Sequence, residues 1–305
     1  MGNRLDSHSY QSYYQDMEPT ETEERGMKEL GYYNGRIGEL SEMTVPMTDR
    51  ACWFGDGVYD AQMVRNYRIF TLDEHVERFF RSAELLRLRM PMTRGELKAL
   101  LNDLVRKMDS GDLMLYYQLT RGAGPRGHAF PACEPNLWVT LVPKKIIDPA
   151  EPVGLVTTED TRFLHCNIKT LNLIPSVMAS QRAAEAGCYE SVFYRPGGRV
   201  TECSHSNVHI LRDGVLYTAP TDHLILAGIA RAHLLAACER LGIPVREEPF
   251  FLSDLMAADE IITTSSSALC LRACSVDGIA AGMRDESLYR KLHDEVTAEY
   301  ERETA

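Results

Sequence analysis

Three tight-turn signals, each set between strand-forming runs, limit what this chain can become. Asn34-Gly35 sits inside Leu30-Gly-Tyr-Tyr-Asn-Gly-Arg-Ile37, Pro196-Gly-Gly198 separates strand-like segments at 190–194 and 199–203, and Asp213-Gly214 marks another hairpin. Such residues supply the backbone that short hairpin turns need, so they predict antiparallel neighbours. Two further strands are expected at 113–120 and 137–142, on either side of a Gly/Pro/Arg/His loop. Thr71-Leu-Asp-Glu74 has the form of a capping box, followed by Val76, Phe79, Phe80, Ala83 and Leu86 at helical spacing. Thr93-Arg-Gly-Glu96 opens a second helix with Leu97, Leu100, Leu101 and Leu104 inward. Later helices are expected between Pro175 and Gly187, from Gly228 to Gly242-Ile-Pro244, and from Asp285 onward, while Ile261–Ser267 runs from a strand into a serine cluster. Strands and helices mix without βαβ alternation, which predicts an α+β fold rather than a doubly wound sheet.

The 305 residues suffice for two modest domains. Residues 1–29 hold three basic and seven acidic residues with no apolar period, and are expected to form a flexible extension. A small N-terminal domain is expected over 30–143, a linker with prolines over 144–152, and a larger domain over 153–305. The net charge of −11, with no basic cluster beyond Lys144-Lys145, argues against a nucleic-acid partner. No apolar run has bilayer length, and the first residues lack a signal-peptide core, so a cytoplasmic, membrane-free protein is expected. The eight cysteines show no CxxC pair and no zinc spacing, which predicts free thiols in a reducing compartment and no metal. Cys166 and Cys203 are expected to pack rather than react.

Several residues could carry chemistry. Lys169 lies in His165-Cys-Asn-Ile-Lys-Thr-Leu-Asn-Leu-Ile174, among apolar and amide neighbours that would desolvate it and lower its pKa, as a lysine that condenses with an aldehyde requires. A lysine here could equally snorkel to the surface. Glu202 ends a strand before the polar run Cys203-Ser-His-Ser-Asn207; buried, it could hold a pyridinium nitrogen, and exposed, it is a solvated strand end. Gly228-Ile229-Ala230 at a helix start, Ser265-Ser266-Ser267 and Arg78 could each bind a phosphate, though each type of feature is also common without a ligand. Arg126 and His128, on a Gly/Pro-shaped loop, could clamp a carboxylate or simply face water.

Together these segments resemble the class IV (fold-type IV) aminotransferases that depend on pyridoxal 5′-phosphate, and within them the D-amino-acid branch. The resemblance runs from about Leu30 to near the C-terminus, through seven segments in order: Asp49–Asp60, the Arg78 helix, Thr120–His128, Asn167–Asn172, Gly187–Glu190, Thr201-Glu202 with Ser206-Asn207, and Ile225–Ile229. It implies a two-domain fold, a homodimer, and transamination between D-amino acids and 2-oxo acids, such as D-alanine with 2-oxoglutarate, by ping-pong kinetics. It implies that Lys169 carries the cofactor and moves the proton, that Glu202 pairs with the pyridine nitrogen, and that Tyr59 lines the site. Arg78, Ile229, Ala230, Ser265 and Ser266 would hold the phosphate, with Ser206, Asn207 and Leu226 beside the cofactor and Arg162 ordering the site. Arg126 and His128, with Tyr116 and Tyr59, would trap the substrate carboxylate, the loop reaching in from the partner subunit. Two positions depart from the pattern: Ala230 where the family commonly has threonine, and His205 where it often has serine. Branched-chain aminotransferase and 4-amino-4-deoxychorismate lyase are the alternatives within the fold, and the Arg126/His128 pair speaks against both. A non-catalytic binding protein of the same fold is expected to lack Lys169 or Glu202.

Overall fold

The computed structural model describes residues 27–147 and 151–305. A first sheet is built from β1 (Leu30–Tyr33), β2 (Arg36–Glu39), β3 (Gly57–Arg65), β4 (Arg68–Ile69), β5 (Leu113–Thr120) and β6 (Asn136–Pro143). Its strands run in the order β2-β1-β6-β5-β3-β4, antiparallel throughout. Asn34 (φ 45°) and Gly35 (φ 94°) turn the first hairpin in the left-handed region, as their sequence demands. Helices α2 (Leu72–Leu85) and α3 (Arg94–Val105) contribute Val76, Phe79, Ala83, Leu97, Leu101 and Leu104 to a core shared with Leu113, Leu115, Tyr117, Leu119, Leu137, Val139 and Leu141 of the sheet. Every second residue of β5 and β6 faces these helices, as the period-2 geometry of a strand requires. The short helix α1 (Arg50–Phe54) precedes β3 and starts on Asp49, whose side chain accepts from the Ala51 amide.

A second sheet takes its nine strands from 153–280: β7 (Val153–Glu159), β8 (Glu190–Arg195), β9 (Arg199–Cys203), β10 (Asn207–Arg212), β11 (Val215–Thr218), β12 (Val245–Glu247), β13 (Glu260–Ser265), β14 (Leu269–Val276) and β15 (Ile279–Ala280). The order is β12-β11-β10-β13-β14-β7-β8-β9, with β15 on β14. Strand β7 pairs in parallel with both β14 and β8, and β11 with β12; the remaining pairs are antiparallel. Helices α4 (Ile174–Glu185), α5 (Ile229–Leu241), α6 (Leu252–Ala257) and α7 (Glu286–Glu303) complete the mixed architecture. Helices α5 and α7 share a core that includes Leu234, Ala237, Leu292, Val296 and Ile262, and Phe70 from the first half packs edge-on against Tyr300 there, 5.0 Å between centroids.

Some local readings need revision. Thr71 adopts a left-handed conformation (φ 52°) and its side chain caps nothing, so Thr71–Glu74 is no capping box; the reciprocal box forms at Thr93 and Glu96. Strand β3 has no clean sequence signal because its core-facing positions alternate Val58, Asp60, Gln62 and Val64, all buried. The described part of the expected linker is docked: the Ile147 amide donates to the Ser267 carbonyl and Ile146 packs on the second-half core. Of the expected extension, residues 1–26 lie outside the described residues, while Met27 pairs with Met108 and packs on the first core.

The loop after β5 begins at Gly122, whose φ of +116° suits glycine, and an added Cβ would overlap the Glu134 carbonyl oxygen. Gly122→Ala is expected to lower unfolding stability by about 3 kcal/mol, the range of strained backbone combined with backbone overlap. Chemical denaturation checks this; a change within experimental error would show that the loop relaxes freely.

Candidate active site

The two halves meet at a cleft whose empty space, open solvent included, is about 800 Å³. Lys169, Glu202, Tyr59, Arg78, Arg162, Ser206, Asn207, Leu226, Ile229, Ala230, Ser265 and Ser266 all line it, with His205 and Cys166. Lys169 lies on the segment between β7 and α4, which docks against β3: Val58 bridges Thr170, and the Tyr59 amide donates to the Lys169 carbonyl at 3.0 Å. That pairing brings the lysine Nζ to 4.4 Å from the centroid of the Tyr59 ring. Behind Tyr59, Tyr116 stacks at 5.4 Å and donates its hydroxyl to Gln118, so Tyr116 backs the wall rather than lining the cleft.

Glu202 is 5% exposed at the end of β9. Its Oε1 accepts from Arg162 Nη1 at 2.5 Å, and its Oε2 accepts from Asn207 Nδ2 at 3.1 Å and the Leu226 amide at 3.0 Å. Burial pushes this carboxyl above its usual range, and Arg162 and the Leu226 amide oppose burial without cancelling it. The same guanidinium forks onto Asp160, with Nε and Nη2 each at 2.9 Å. Asp160, 3% exposed, is a partner that sequence reading missed. Gly228 is packed so closely on Asn207 that a side chain there would overlap Asn207 Oδ1.

Arg78 presents a second paired guanidinium. Its Nε and Nη2 donate to Asp60 at 2.9 and 2.6 Å, and Nη1 donates to the Ala227 carbonyl at 3.3 Å. His75 Nδ1 adds a 2.7 Å contact to the same carboxylate. Burial alone would raise the Asp60 pKa, but the Arg78 and His75 charges outweigh it and hold the group below the usual carboxylate range. The loop before α5 places Gly228 as N-cap, with no side chain capping the first-turn amides of Ile229 and Ala230. Ser265 and Ser266, at the β13–β14 turn, complete that end of the cleft.

Arg126 and His128 do not line the cleft of their own chain. They are exposed, on a loop fixed from behind: Arg50 donates to the Gly127 and His128 carbonyls at 2.6 and 3.4 Å and to Asp56 at 2.7 Å. Arg121 forks onto Asp56 at 2.8 and 3.0 Å, and the Phe54 ring lies 5.2 Å from that of His128 and 5.5 Å from the Arg126 guanidinium. This Arg50–Asp56–Arg121 lattice was also not foreseen. Burial pushes the Cys166 thiol up to about 11 and the Cys203 thiol well above its ordinary value, consistent with packing rather than nucleophilic roles. Among the described residues there is no metal-binding cluster of His, Cys, Asp and Glu, and no helix long and apolar enough to cross a membrane.

Arg162 joins two buried carboxylates, so removing it leaves charge without its counter-ion. Arg162→Gln is expected to cost about 3 kcal/mol or more of stability, as for other broken buried pairs. Thermal and denaturant unfolding would measure it; a wild-type midpoint would mean that Arg195 and Asn207 alone compensate.

Residues 57–276 match the family model of amino-transferase class IV. The chain is 38% identical over 268 residues to the D-alanine aminotransferase of Listeria monocytogenes serotype 4b, covering 85% of this chain and 92% of the relative. It is also 38% identical over 253 residues to the D-alanine aminotransferase of Bacillus licheniformis, covering 82% and 89%. Among solved structures, the branched-chain aminotransferase of the thermophilic archaeon Thermoproteus uzoniensis with norvaline superposes with a TM-score of 0.82 at 24% identity, over 91% of this chain and 97% of that one. Agreement with the family model over residues 57–276, and in sequence over most of both chains, leaves one assignment: this chain belongs to the class IV aminotransferases.

Proposed function

We propose that this enzyme transfers the amino group of D-amino acids to 2-oxo acids, with D-alanine and 2-oxoglutarate as a representative pair. The observation that carries the reading is the joining of a lysine amine, a buried carboxylate of raised pKa, a guanidinium and uncapped helix amides in one cleft. Class IV aminotransferases are pyridoxal 5′-phosphate enzymes, and the cleft fits that group: it offers an amine for an aldehyde, a carboxylate for a ring nitrogen, and an anion cradle beyond them. When bound, the cofactor supplies an electron-withdrawing ring that stabilises negative charge at the substrate α-carbon.

The protein residues divide the remaining work. Lys169 would remove the α-proton and, as its protonated amine, would return it across the substrate nitrogen, at the cofactor carbon that carried the aldehyde. Glu202, made more basic by burial, keeps the ring nitrogen protonated, with Arg162, Asn207 and the Leu226 amide holding it in place. Arg78, the Ile229 and Ala230 amides, and Ser265 and Ser266 hold the phosphate; Ala230 contributes only its amide. Leu226 and Ser206 line the cofactor's surroundings, and Tyr59 forms the wall next to Lys169.

Stereochemistry is assigned to Arg126 and His128. A forked guanidinium and an imidazole fix a planar carboxylate directionally, and that decides which enantiomer turns its α-proton toward Lys169. Since both residues stand outside their own cleft, we assign them to the site of the partner in a homodimer. Exposed Leu173, Ile174, Val177 and Met178, at the start of α4, support such an interface, because clustered exposed apolar side chains mark contact surfaces. The boundary between the two domains is put at 144–152, and the free thiols fit a cytoplasmic setting.

A panel of D- and L-amino acids, L-leucine included, against 2-oxoglutarate and pyruvate tests the activity. Turnover of D-alanine is expected and L-alanine should be far poorer; preference for L-donors would overturn the reading. Mixing Arg126→Ala chains with Lys169→Ala chains should restore roughly a quarter of wild-type activity, since half the randomly formed dimers are mixed and each has one intact site. No recovery, despite proven subunit exchange, would place the carboxylate trap within one chain.

A further inference from the structure

We propose that His205 receives a second carboxylate of the substrate, remote from the reacting carbon, so that the site favours dicarboxylic oxo acids and amino acids. The inference rests on the transaminase reading above and adds a residue and a substrate class to it. His205 stands in the turn between β9 and β10 and lines the same cleft as Lys169 and Tyr59. Its side chain is 48% exposed, whereas Ser204 and Ser206 on either side are each 8% exposed. Ser204 and Ser206 also line the cleft, but their hydroxyls are given to Glu190, which leaves His205 as the most exposed side chain of the turn.

A buried anion fixes the polarity of that side chain. Glu190 is fully buried and lies with Oε2 at 2.9 Å from His205 Nδ1. Its carboxylate accepts from the Ser191 and Ser204 amides at 2.9 and 3.1 Å, from the Ser206 hydroxyl at 3.1 Å and from the Ser204 hydroxyl. Four donors besides the imidazole hold it in one place. Burial disfavours a charged imidazole, but the Glu190 charge and hydrogen bond outweigh burial and raise the His205 pKa. In the protonated ring both nitrogens donate, and Nε2 bonds to no described residue.

The other cations of the cleft are already engaged. Arg78 is paired with Asp60, and Arg162 with Asp160 and Glu202. Lys169 is committed to the chemistry, and the α-carboxylate is assigned to Arg126 and His128. A further anionic group in the substrate therefore finds His205. A charge-assisted hydrogen bond from a directional donor suits a carboxylate and gives nothing to an alkyl group.

The test compares kcat/KM for 2-oxoglutarate and 2-oxobutyrate, with D-alanine as donor, in wild type, His205→Asn and His205→Lys. The ratio is read within each enzyme, so a general loss of activity cancels. The wild type is expected to favour 2-oxoglutarate, and His205→Asn should lower the ratio by about tenfold or more, mainly through KM. His205→Lys, which keeps a cation, should recover part of it. An unchanged ratio in His205→Asn overturns the proposal, as does an equal fall for both acceptors. If the wild type instead uses only L-donors, the functional reading fails separately, and the same ratio measured with an L-donor still decides the role of His205.

Discussion

The cleft is organised by one guanidinium shared between two buried carboxylates. Arg162 binds Asp160 with one fork and Glu202 with its remaining nitrogen. Taking three charges out of water is unfavourable unless their lone pairs and protons are nearly all matched. Here most are: Asp160 also accepts from the Thr201 hydroxyl and has Arg195 Nε 3.2 Å away as a second counter-ion, and Glu202 accepts from Asn207 and the Leu226 amide. The pattern fixes the relative positions of the segment after β7, the end of β9, the start of β10 and the loop leading to α5. Gly228 then lies against Asn207 with no room for a side chain, so the carboxylate end of the cleft and the amide end are set at a constant separation.

The first half contributes a similar device. Asp60 sits on a sheet face otherwise packed with Leu, Val and Tyr, and is tolerable there only because Arg78 and His75 of α2 reach it. The arrangement ties α2 to β3, and so ties Arg78 to the strand that carries Tyr59. Two buried ion-pair clusters, one from each half, thus hold opposite walls of the same cleft. Neither has an obvious stabilising excess over an apolar replacement; what both supply is a defined geometry.

The local grammar of the chain was readable. Asn34-Gly35, Asp213-Gly214, the run 113–120 and the helix beginning after Gly228 all appear where turn chemistry and periodicity put them. Lys169 and Glu202 stand out as chemistry-bearing residues in suitable local settings, and their roles are implied by the family resemblance. The partners were not readable. Asp160, Asp60, Arg50 and Asp56 look like ordinary surface charges in sequence, because their counter-ions arrive from elsewhere in the chain or in a loop whose path is set by tertiary packing. Strand β3 failed for the same reason: two polar core residues broke the alternation that would have revealed it. For Arg126 and His128, the proposed role needs a second chain, and nothing in their own sequence neighbourhood points to one.

The placement of β7 has a bearing on when this enzyme becomes competent. Its parallel neighbour β14 lies more than a hundred residues further along the chain, and no intervening hairpin can supply that edge. Contacts of such sequence separation form slowly, since a long loop must close before any pairing rewards it. During synthesis β8 and β9 can assemble early, but β7, which leads into the segment carrying Asp160 and Lys169, stays paired on one side only until residues near 276 have emerged. The serine turn between β13 and β14 forms at the same late moment. On the proposed function, cofactor capture would be coupled to closure of the second sheet, and a nascent chain that stalled before β14 would have the lysine but no cradle in which to use it.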